Sequence, residues 1–172
     1  MSRNLVLLAI LLTVFSSCSK QEKHNELYFS TDYDQLSGWM LDYGFRKGEG
    51  HSGHWFLAAD NANKYTLPFQ IKLGDASQRP IVKADVTAWI KVSALPSGAL
   101  MVFSADGPGG SVFWKSVELK SQITQKDTWT EVKATMNFPA GTIGPEHILK
   151  AYFWAYDGQS IQVDDMAVQL YN

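Results

Sequence analysis

The chain has 172 residues, of which 45% are hydrophobic and 19% are charged, with a formal net charge of −2 and one cysteine. The apolar fraction excludes an intrinsically disordered chain, and the charge balance excludes a nucleic-acid binder that relies on a strongly basic surface. A single cysteine can form neither an intramolecular disulfide nor a metal site built of several thiolates.

Residues 1–17 have the pattern of a secretory signal peptide. Arg3 precedes an apolar run from Leu5 to Phe15, and small residues follow the run. The run is shorter than the roughly 20 apolar residues that a membrane-spanning helix requires. We therefore expect the segment to be removed rather than retained as a transmembrane anchor.

The only cysteine stands directly after this segment, in the tetrad Phe15-Ser16-Ser17-Cys18. The tetrad resembles the lipobox of bacterial lipoproteins, in which cleavage leaves the cysteine as the first residue, with lipid on its sulfur and its amine. This resemblance implies membrane attachment through Cys18, because more than one acyl chain anchors a protein stably. In such lipoproteins an Asp directly after the cysteine is associated with retention in the inner membrane. Ser19 stands at that position here, so the resemblance favours the outer membrane and leaves the leaflet undetermined. An ordinary secreted protein with an incidental cysteine is the alternative.

The remainder divides into a lipidated cysteine with a polar tether over 18–26 and a single domain over 27–172. Within the domain, apolar and polar residues alternate repeatedly, which predicts strands with one buried face, and clusters of Gly, Pro, Asn and Asp predict the turns between them. Pro68 indicates a sheet edge or a bulge. The predicted strands are 54–59, 64–73, 83–92, 99–104, 111–119, 130–138, 149–156 and 160–170.

Short strands at this spacing predict an all-β fold, a two-sheet antiparallel β-sandwich of the jelly-roll type. Short motifs also occur in a recognisable order. Tyr33-Asp34 is followed by Gly38-Trp39, then by Gly50-His51-Ser52-Gly53, and finally by Ile161-Gln162-Val163-Asp164-Asp165. Together they resemble the galactose-binding-like jelly rolls, which include many carbohydrate-binding modules.

The resemblance implies a structural calcium ion where the first motif, the His-Ser-Gly turn and the last strand meet. Asp34 and Asp164 would be side-chain ligands, and backbone oxygens near Ser52 and Gly53 would complete the oxygen shell that calcium prefers. As neighbours on a strand, Asp164 and Asp165 are expected to point to opposite faces. The alternative is that these carboxylates only accept hydrogen bonds from turn amides.

On two predicted strands, 83–92 and 149–156, large aromatic residues lie on the same face as polar residues. A third strand, 111–119, carries a tryptophan whose face the alternation leaves open. A flat ring can stack on the apolar face of a sugar while neighbouring polar groups bond its hydroxyls, so these faces predict a carbohydrate site. A covering loop or the tether would instead make the rings core residues. The candidate ligand-binding residues are Trp89, Trp154, Tyr152, Tyr156, Asp85, Lys91 and Trp114.

The sequence therefore predicts a noncatalytic carbohydrate-binding lipoprotein of the cell envelope. A structural or protein-binding lipoprotein that uses the same faces or an exposed strand edge is the alternative. A jelly-roll glycosidase is less favoured, because glycosidases generally need two carboxylates and the patterns place only Asp85 on the aromatic faces. A polysaccharide lyase could use Tyr152 and Lys91. A concave groove lined by Trp89 and Trp154 would favour sugar, whereas a flat or covered face would favour a protein partner.

Overall fold

The structure is a computed structural model that describes residues 26–36 and 44–172. The predicted signal peptide, Cys18, Trp39 and all but the last residue of the predicted tether lie outside these ranges. That last residue, Glu26, begins the first strand. None of the described helices is both long enough and apolar enough to span a bilayer.

The described residues form ten strands and two helical turns. In chain order these are β1 (Glu26–Thr31), a 3-10 turn (Asp34–Leu36), β2 (Phe45–Lys47), β3 (Trp55–Ala59), β4 (Phe69–Lys72), α1 (Leu73–Ala76), β5 (Lys83–Val92), β6 (Ala99–Gly107), β7 (Gly110–Glu118), β8 (Thr130–Asn137), β9 (Ile148–Ala155) and β10 (Ile161–Tyr171). Each predicted strand has its counterpart here, whereas β1 and β2 were not predicted.

The strands pair into two antiparallel sheets, which confirms the predicted β-sandwich. One sheet has six strands in the order β2-β3-β10-β5-β8, and β1 also pairs with β10. On that edge of β10, β3 pairs with residues 161–163 and β1 with residues 166–171. The other sheet has four strands in the order β4-β9-β6-β7.

The core lies between the two sheets and is built from the alternating apolar residues. Along β5 every second residue from Ala84 to Val92 is buried, and along β9 the same holds from Leu149 to Ala155. Each large side chain buried in this way contributes about 1.5–3 kcal/mol to the stability of the fold. The intervening residues of both strands project from the outer faces of the sandwich.

Pro68 divides the predicted strand 64–73 into two parts. β4 begins at Phe69, directly after the proline, and forms an edge of the four-stranded sheet. Before the proline, Tyr65 forms only an isolated bridge with Trp154. The edge position predicted from Pro68 is thus confirmed, since proline has no N–H to donate to a neighbouring strand.

β10 contains an irregularity that the sequence analysis did not anticipate. Its pairing with β5 shifts register between Asp164 and Ala167, and Asp165 has a φ of 46°. The buried apolar positions accordingly change from the odd-numbered Ile161 and Val163 to even-numbered positions, which are Met166, Val168 and Leu170. This bulge corrects the expectation that the Asp164 and Asp165 side chains point to opposite faces, because both bond the same turn, as described below.

Candidate functional site

Five aromatic side chains cluster on the outer face of the four-stranded sheet, and we call this cluster the aromatic platform. β9 provides two of them, and a third follows its last residue. The others come from β7 and from the segment before β4. The outward direction follows from the alternation with the buried residues of β9. The platform consists of Tyr65, Trp114, Tyr152, Trp154 and Tyr156.

Trp154 occupies the centre of the platform. Its ring centroid lies 5.5 Å from that of Tyr65, 6.2 Å from that of Trp114 and 4.9 Å from that of Tyr156. These separations are within the range of favourable aromatic pairs. Trp154 is half-buried, whereas Tyr65, Trp114 and Tyr156 are 47%, 48% and 62% exposed. The surrounding rings, rather than the central one, therefore offer the most surface to a ligand.

A groove of about 360 Å³ lies beside the platform. The rings of Tyr65, Trp114 and Tyr152 form its aromatic part. Its polar part contains hydroxyls and an ion pair in which Lys150 Nζ donates to Asp106 Oδ2 at 2.6 Å. Flat apolar rings next to hydrogen-bond donors and acceptors are the combination that sugar recognition uses. The remaining lining residues are Thr66, Pro68, Ser104 and Ser111.

The structure resolves the orientation of Trp114, which the sequence left open. Trp114 pairs with Ser104, and Ser104 pairs on its other side with Lys150, so the three residues share the outer face. Sequence analysis missed Tyr65, because the alternation over 64–73 places it in line with Leu67, Phe69 and Ile71, on the apolar side of the predicted strand. It also missed Asp106, whose presence beside Lys150 corrects the expectation that Asp85 is the only acid on the aromatic faces.

Trp89 lies on the outer face of the other sheet. Its ring stacks on the His51 imidazole with centroids 3.7 Å apart and planes 10° apart. His51 Nδ1 lies 2.5 Å from Asp165 Oδ2, and the imidazole also meets the edge of Trp129. Lys91 Nζ lies 4.7 Å from the Trp129 centroid. The turn that contains His51 therefore covers one face of Trp89, as the alternative for this strand proposed.

The candidate residues thus belong to two separate surfaces. Trp114, Tyr152, Trp154 and Tyr156 meet on the four-stranded sheet, whereas Trp89 and Lys91 lie on the opposite outer face of the sandwich. No groove is lined by both Trp89 and Trp154, so that criterion for a sugar rather than a protein partner is not met. A lyase centre made of Tyr152 and Lys91 is excluded, because the two side chains lie on opposite outer faces of the sandwich with the core between them.

Asp85 shares the Trp89 side of β5 but is separated from Trp89 by four residues, about 13 Å along a strand. Its carboxylate accepts hydrogen bonds from Thr135 at 2.7 Å and from the Tyr171 hydroxyl at 2.8 Å, and it pairs with Lys83 at 2.8 Å. Burial raises the pKa of Asp85, but these partners outweigh it and lower the pKa overall. The partners make Asp85 part of a structural network apart from Trp89.

Asp164 and Asp34 both bond the turn over residues 50–54. Asp164 is fully buried, and its Oδ2 accepts the backbone N–H groups of His51 at 2.8 Å and Ser52 at 3.1 Å. Asp34 Oδ1 accepts the N–H of His54 at 2.9 Å. Burial is the main cause of the raised pKa of Asp164. Asp165 joins the same turn, because its Oδ1 accepts the Ser52 hydroxyl at 2.6 Å.

These contacts bear on the expected calcium ion. A Cβ atom on Gly50 would lie 2.5 Å from the Ser52 carbonyl oxygen and 2.7 Å from Asp164 Oδ2, so the two oxygens face the same small space. A carbonyl and a carboxylate are suitable calcium ligands. Among the described residues, no three or more His, Cys, Asp or Glu form a group that could hold a metal. Calcium at Asp34 and Asp164 therefore stays a prediction.

No protein-family model and no curated protein matches the chain. The fold is similar to the tandem CBM22-1-CBM22-2 domain of Paenibacillus barcinonensis Xyn10C, with 13% identity, 86% of this chain and 46% of that chain covered, and a TM-score of 0.51. This chain therefore has a β-sandwich fold like that of these two modules. It spans about half of that two-module structure.

Two single modules were also matched, at lower structural similarity. The CBM22-2 xylan-binding domain of the same Xyn10C is 13% identical, with 81% of this chain and 97% of that chain covered and a TM-score of 0.47. Family 16 Carbohydrate Binding Module-2 is 14% identical, with 74% of this chain and 88% of that chain covered and a TM-score of 0.45.

Proposed function

We propose that this protein is a noncatalytic carbohydrate-binding module that holds an oligosaccharide or polysaccharide on the aromatic platform. The observation that supports this most directly is the cluster of exposed rings beside a groove with polar groups. Tyr65, Trp114 and Tyr156 are each about half exposed, although large aromatic side chains usually bury most of their surface. A contiguous exposed aromatic surface generally marks a binding site.

The length of the platform favours a ligand of several sugar units. Tyr152 and Trp154 lie about 7 Å apart along β9, and the Tyr156 ring continues the row beyond the end of the strand, 4.9 Å from that of Trp154. The groove extends the site beyond Tyr152 toward Lys150. One sugar ring is too small to occupy this distance, whereas a linear glycan can contact several rings at once.

The expected affinity is modest. Stacking of sugar on these rings would bury about 100–200 Å² of apolar surface, which corresponds to about 2.5–5 kcal/mol at 25 cal/mol/Å². Loss of translational and rotational freedom offsets part of this gain. The dissociation constant is therefore expected between about micromolar and millimolar.

The groove supports a binding function rather than hydrolysis. Asp106 is the one carboxylate among the described residues that line it, and it is paired with Lys150. Glycosidases generally use two carboxyl groups on either side of the scissile bond. A lone, ion-paired carboxylate does not meet that requirement.

We also propose that the module is attached to the cell envelope through lipid on Cys18, with the outer membrane as the favoured location. The support for this is the sequence pattern of residues 1–18, in which a short apolar segment ends at the only cysteine. The residues between Cys18 and β1 would then serve as a short polar tether.

A glycan-array screen of residues 19–172, which contain every described element, tests the binding proposal. We expect binding to at least one oligosaccharide class, with at least about tenfold loss in Trp114→Ala and Tyr156→Ala. Tyr28→Ala is the matched control, since Tyr28 is 65% exposed but lies on β1 of the other sheet. A folded protein that binds no glycan would refute the proposal and favour a protein partner.

A further inference from the structure

The groove contains an ion pair whose position is fixed by the sheet. Lys150 on β9 pairs in register with Ser104 on β6, and Asp106 lies two residues further along β6, opposite Ile148. The lysine side chain therefore crosses diagonally to the aspartate, and its Nζ donates to Asp106 Oδ2 at 2.6 Å. The two side chains remain 31% and 36% exposed, so both can contact a ligand in the groove.

The charges of this pair cancel. Of the described residues that line the groove, Lys150 and Asp106 are the charged ones, and the others are aromatic, hydroxyl-bearing or proline residues. On the flanking strands, Lys72 pairs opposite Ile148 and Glu118 opposite Leu100, but neither side chain lines the groove. The groove is therefore polar without a net charge of its own.

Building on the proposed function, we infer that the Lys150–Asp106 pair makes the groove select neutral glycans over glycans that carry uronic acids. The lysine ammonium has three N–H donors, of which Asp106 uses one, and the aspartate keeps further acceptor sites. Adjacent sugar hydroxyls can accept from Lys150 and donate to Asp106. A neutral sugar thus gains charge-assisted hydrogen bonds without displacing the ion pair.

A sugar carboxylate, in contrast, gains no net attraction from the ion pair. Any position within contact of Lys150 Nζ is also close to the Asp106 carboxylate, since the two groups are in direct contact. Repulsion from Asp106 then offsets attraction to Lys150, while the incoming carboxylate loses hydration. Asp106 is therefore the residue that determines specificity, because without it Lys150 would be an unpaired cation in an aromatic groove.

The test uses titration calorimetry with pairs of oligosaccharides that differ only in charge. Oligogalacturonate, oligoguluronate and glucuronic-acid-substituted xylo-oligosaccharide are each compared with their carboxyl-reduced forms. In the wild-type protein, we expect the reduced member of a bound pair to bind at least about tenfold more tightly. In Asp106→Asn we expect the preference to fall below about twofold or to reverse.

Two variants serve as controls. Glu118→Gln changes the net charge by the same amount and breaks another ion pair of 2.6 Å, with Lys120, but outside the groove, so it should retain the wild-type preference. Lys150→Gln should weaken binding of the reduced member without a gain for the acidic one. Thermal melting of each variant establishes that it is folded, and Asp106→Ser replaces Asp106→Asn if the latter unfolds.

The outcomes separate the two proposals. Equal or tighter binding of the acidic members by the wild-type protein overturns the inference, while carbohydrate binding on the platform stands. A tenfold preference that persists in Asp106→Asn also overturns it, because Asp106 would then not determine specificity. If none of the six probes nor any glycan of the array binds the folded protein, the proposed function fails and the inference fails with it.

Discussion

Trp154 has a different role from the rings around it. It contacts Tyr65, Trp114 and Tyr156, and its buried Nε1 has no hydrogen-bond partner in the part of the chain that the structure describes. Three of the four other platform rings thus pack against this central ring. Trp154 was expected from the sequence to face a ligand, and its packing adds a positioning role that periodicity could not reveal.

This difference predicts distinct effects of two tryptophan substitutions. Trp154→Ala should lower the free energy of unfolding by about 2 kcal/mol, and hence the melting temperature by about 4–8 °C, because a half-buried ring and its three contacts are lost. Trp114→Ala should lower it by less than about 1 kcal/mol, since Trp114 is 48% exposed. Both should weaken glycan binding.

Calorimetric melting of the two variants provides the comparison, with glycan affinity measured on the same samples. Tyr28→Ala, an exposed ring on the other sheet, controls for the loss of an aromatic surface residue. Equal melting temperatures for Trp154→Ala and Trp114→Ala would contradict the central position of Trp154.

At the scale of single elements, regular strands were predictable and irregular ones were not. β5 and β9 were recognised because their alternation lasts for eight residues or more. β2 has only three residues, which are too few to show an alternation, and it pairs with the next strand, β3. The groove residue Asp106 was missed because the predicted strand ends at residue 104, whereas β6 continues to Gly107.

The bulge in β10 left a signal in the sequence that was not used. The apolar positions change from Ile161 and Val163 to Met166, Val168 and Leu170, a shift from odd to even numbers within one strand. An extra residue in the strand explains this shift. It also explains how Asp164 and Asp165 reach the same turn, which period-two reasoning excluded.

The turn over residues 50–54 requires glycine at position 53. Gly53 has a φ of +59°, and a Cβ atom there would collide with the Asp34 carboxylate. Gly53→Ala should therefore destabilise the protein by about 2–3 kcal/mol, from left-handed backbone strain together with displacement of Asp34. Urea unfolding measures this change.

Gly141→Ala is the matched control for that substitution. Gly141 also has a positive φ, +76°, but a Cβ atom there would meet nothing within 4 Å. It should lose only the backbone contribution of about 1 kcal/mol. If the two variants lost the same stability, the contact between Asp34 and the turn would not be energetically significant.

The same turn is where calcium is predicted to bind. If Asp34, Asp164 and nearby carbonyl oxygens hold the ion, calcium at 100 times its dissociation constant should stabilise the fold by about 2.7 kcal/mol. Melting after EDTA treatment and again with added calcium measures the shift. Asp164→Asn should abolish it, whereas Asp85→Asn on the same sheet should not. A melting temperature independent of calcium would show that the carboxylates only bond turn amides.

At the scale of the whole molecule, the core separates two outer faces with different surroundings. The platform on the four-stranded sheet has exposed rings, whereas the turn at His51 covers Trp89 on the other sheet. Sequence patterns identified both faces but not which one was covered, because the covering turn precedes β5 by some thirty residues. Three-dimensional placement was needed to distinguish an exposed aromatic surface from a covered one.

Lipid attachment at Cys18 would place this platform close to a membrane. Residues 19–25 can span at most about 25 Å when fully extended, so the domain would stay near the lipid surface.

In a bacterial host with a lipoprotein pathway, we expect the full-length chain to incorporate radiolabelled palmitate and to sediment with membranes. Cys18→Ser should do neither, yet its domain should bind glycan as the unsubstituted domain does, because the platform lies entirely within residues 26–172. Palmitate incorporation that persists in Cys18→Ser would show that the lipid is attached elsewhere. A full-length chain that incorporates no palmitate would refute lipid attachment and favour an ordinary secreted protein.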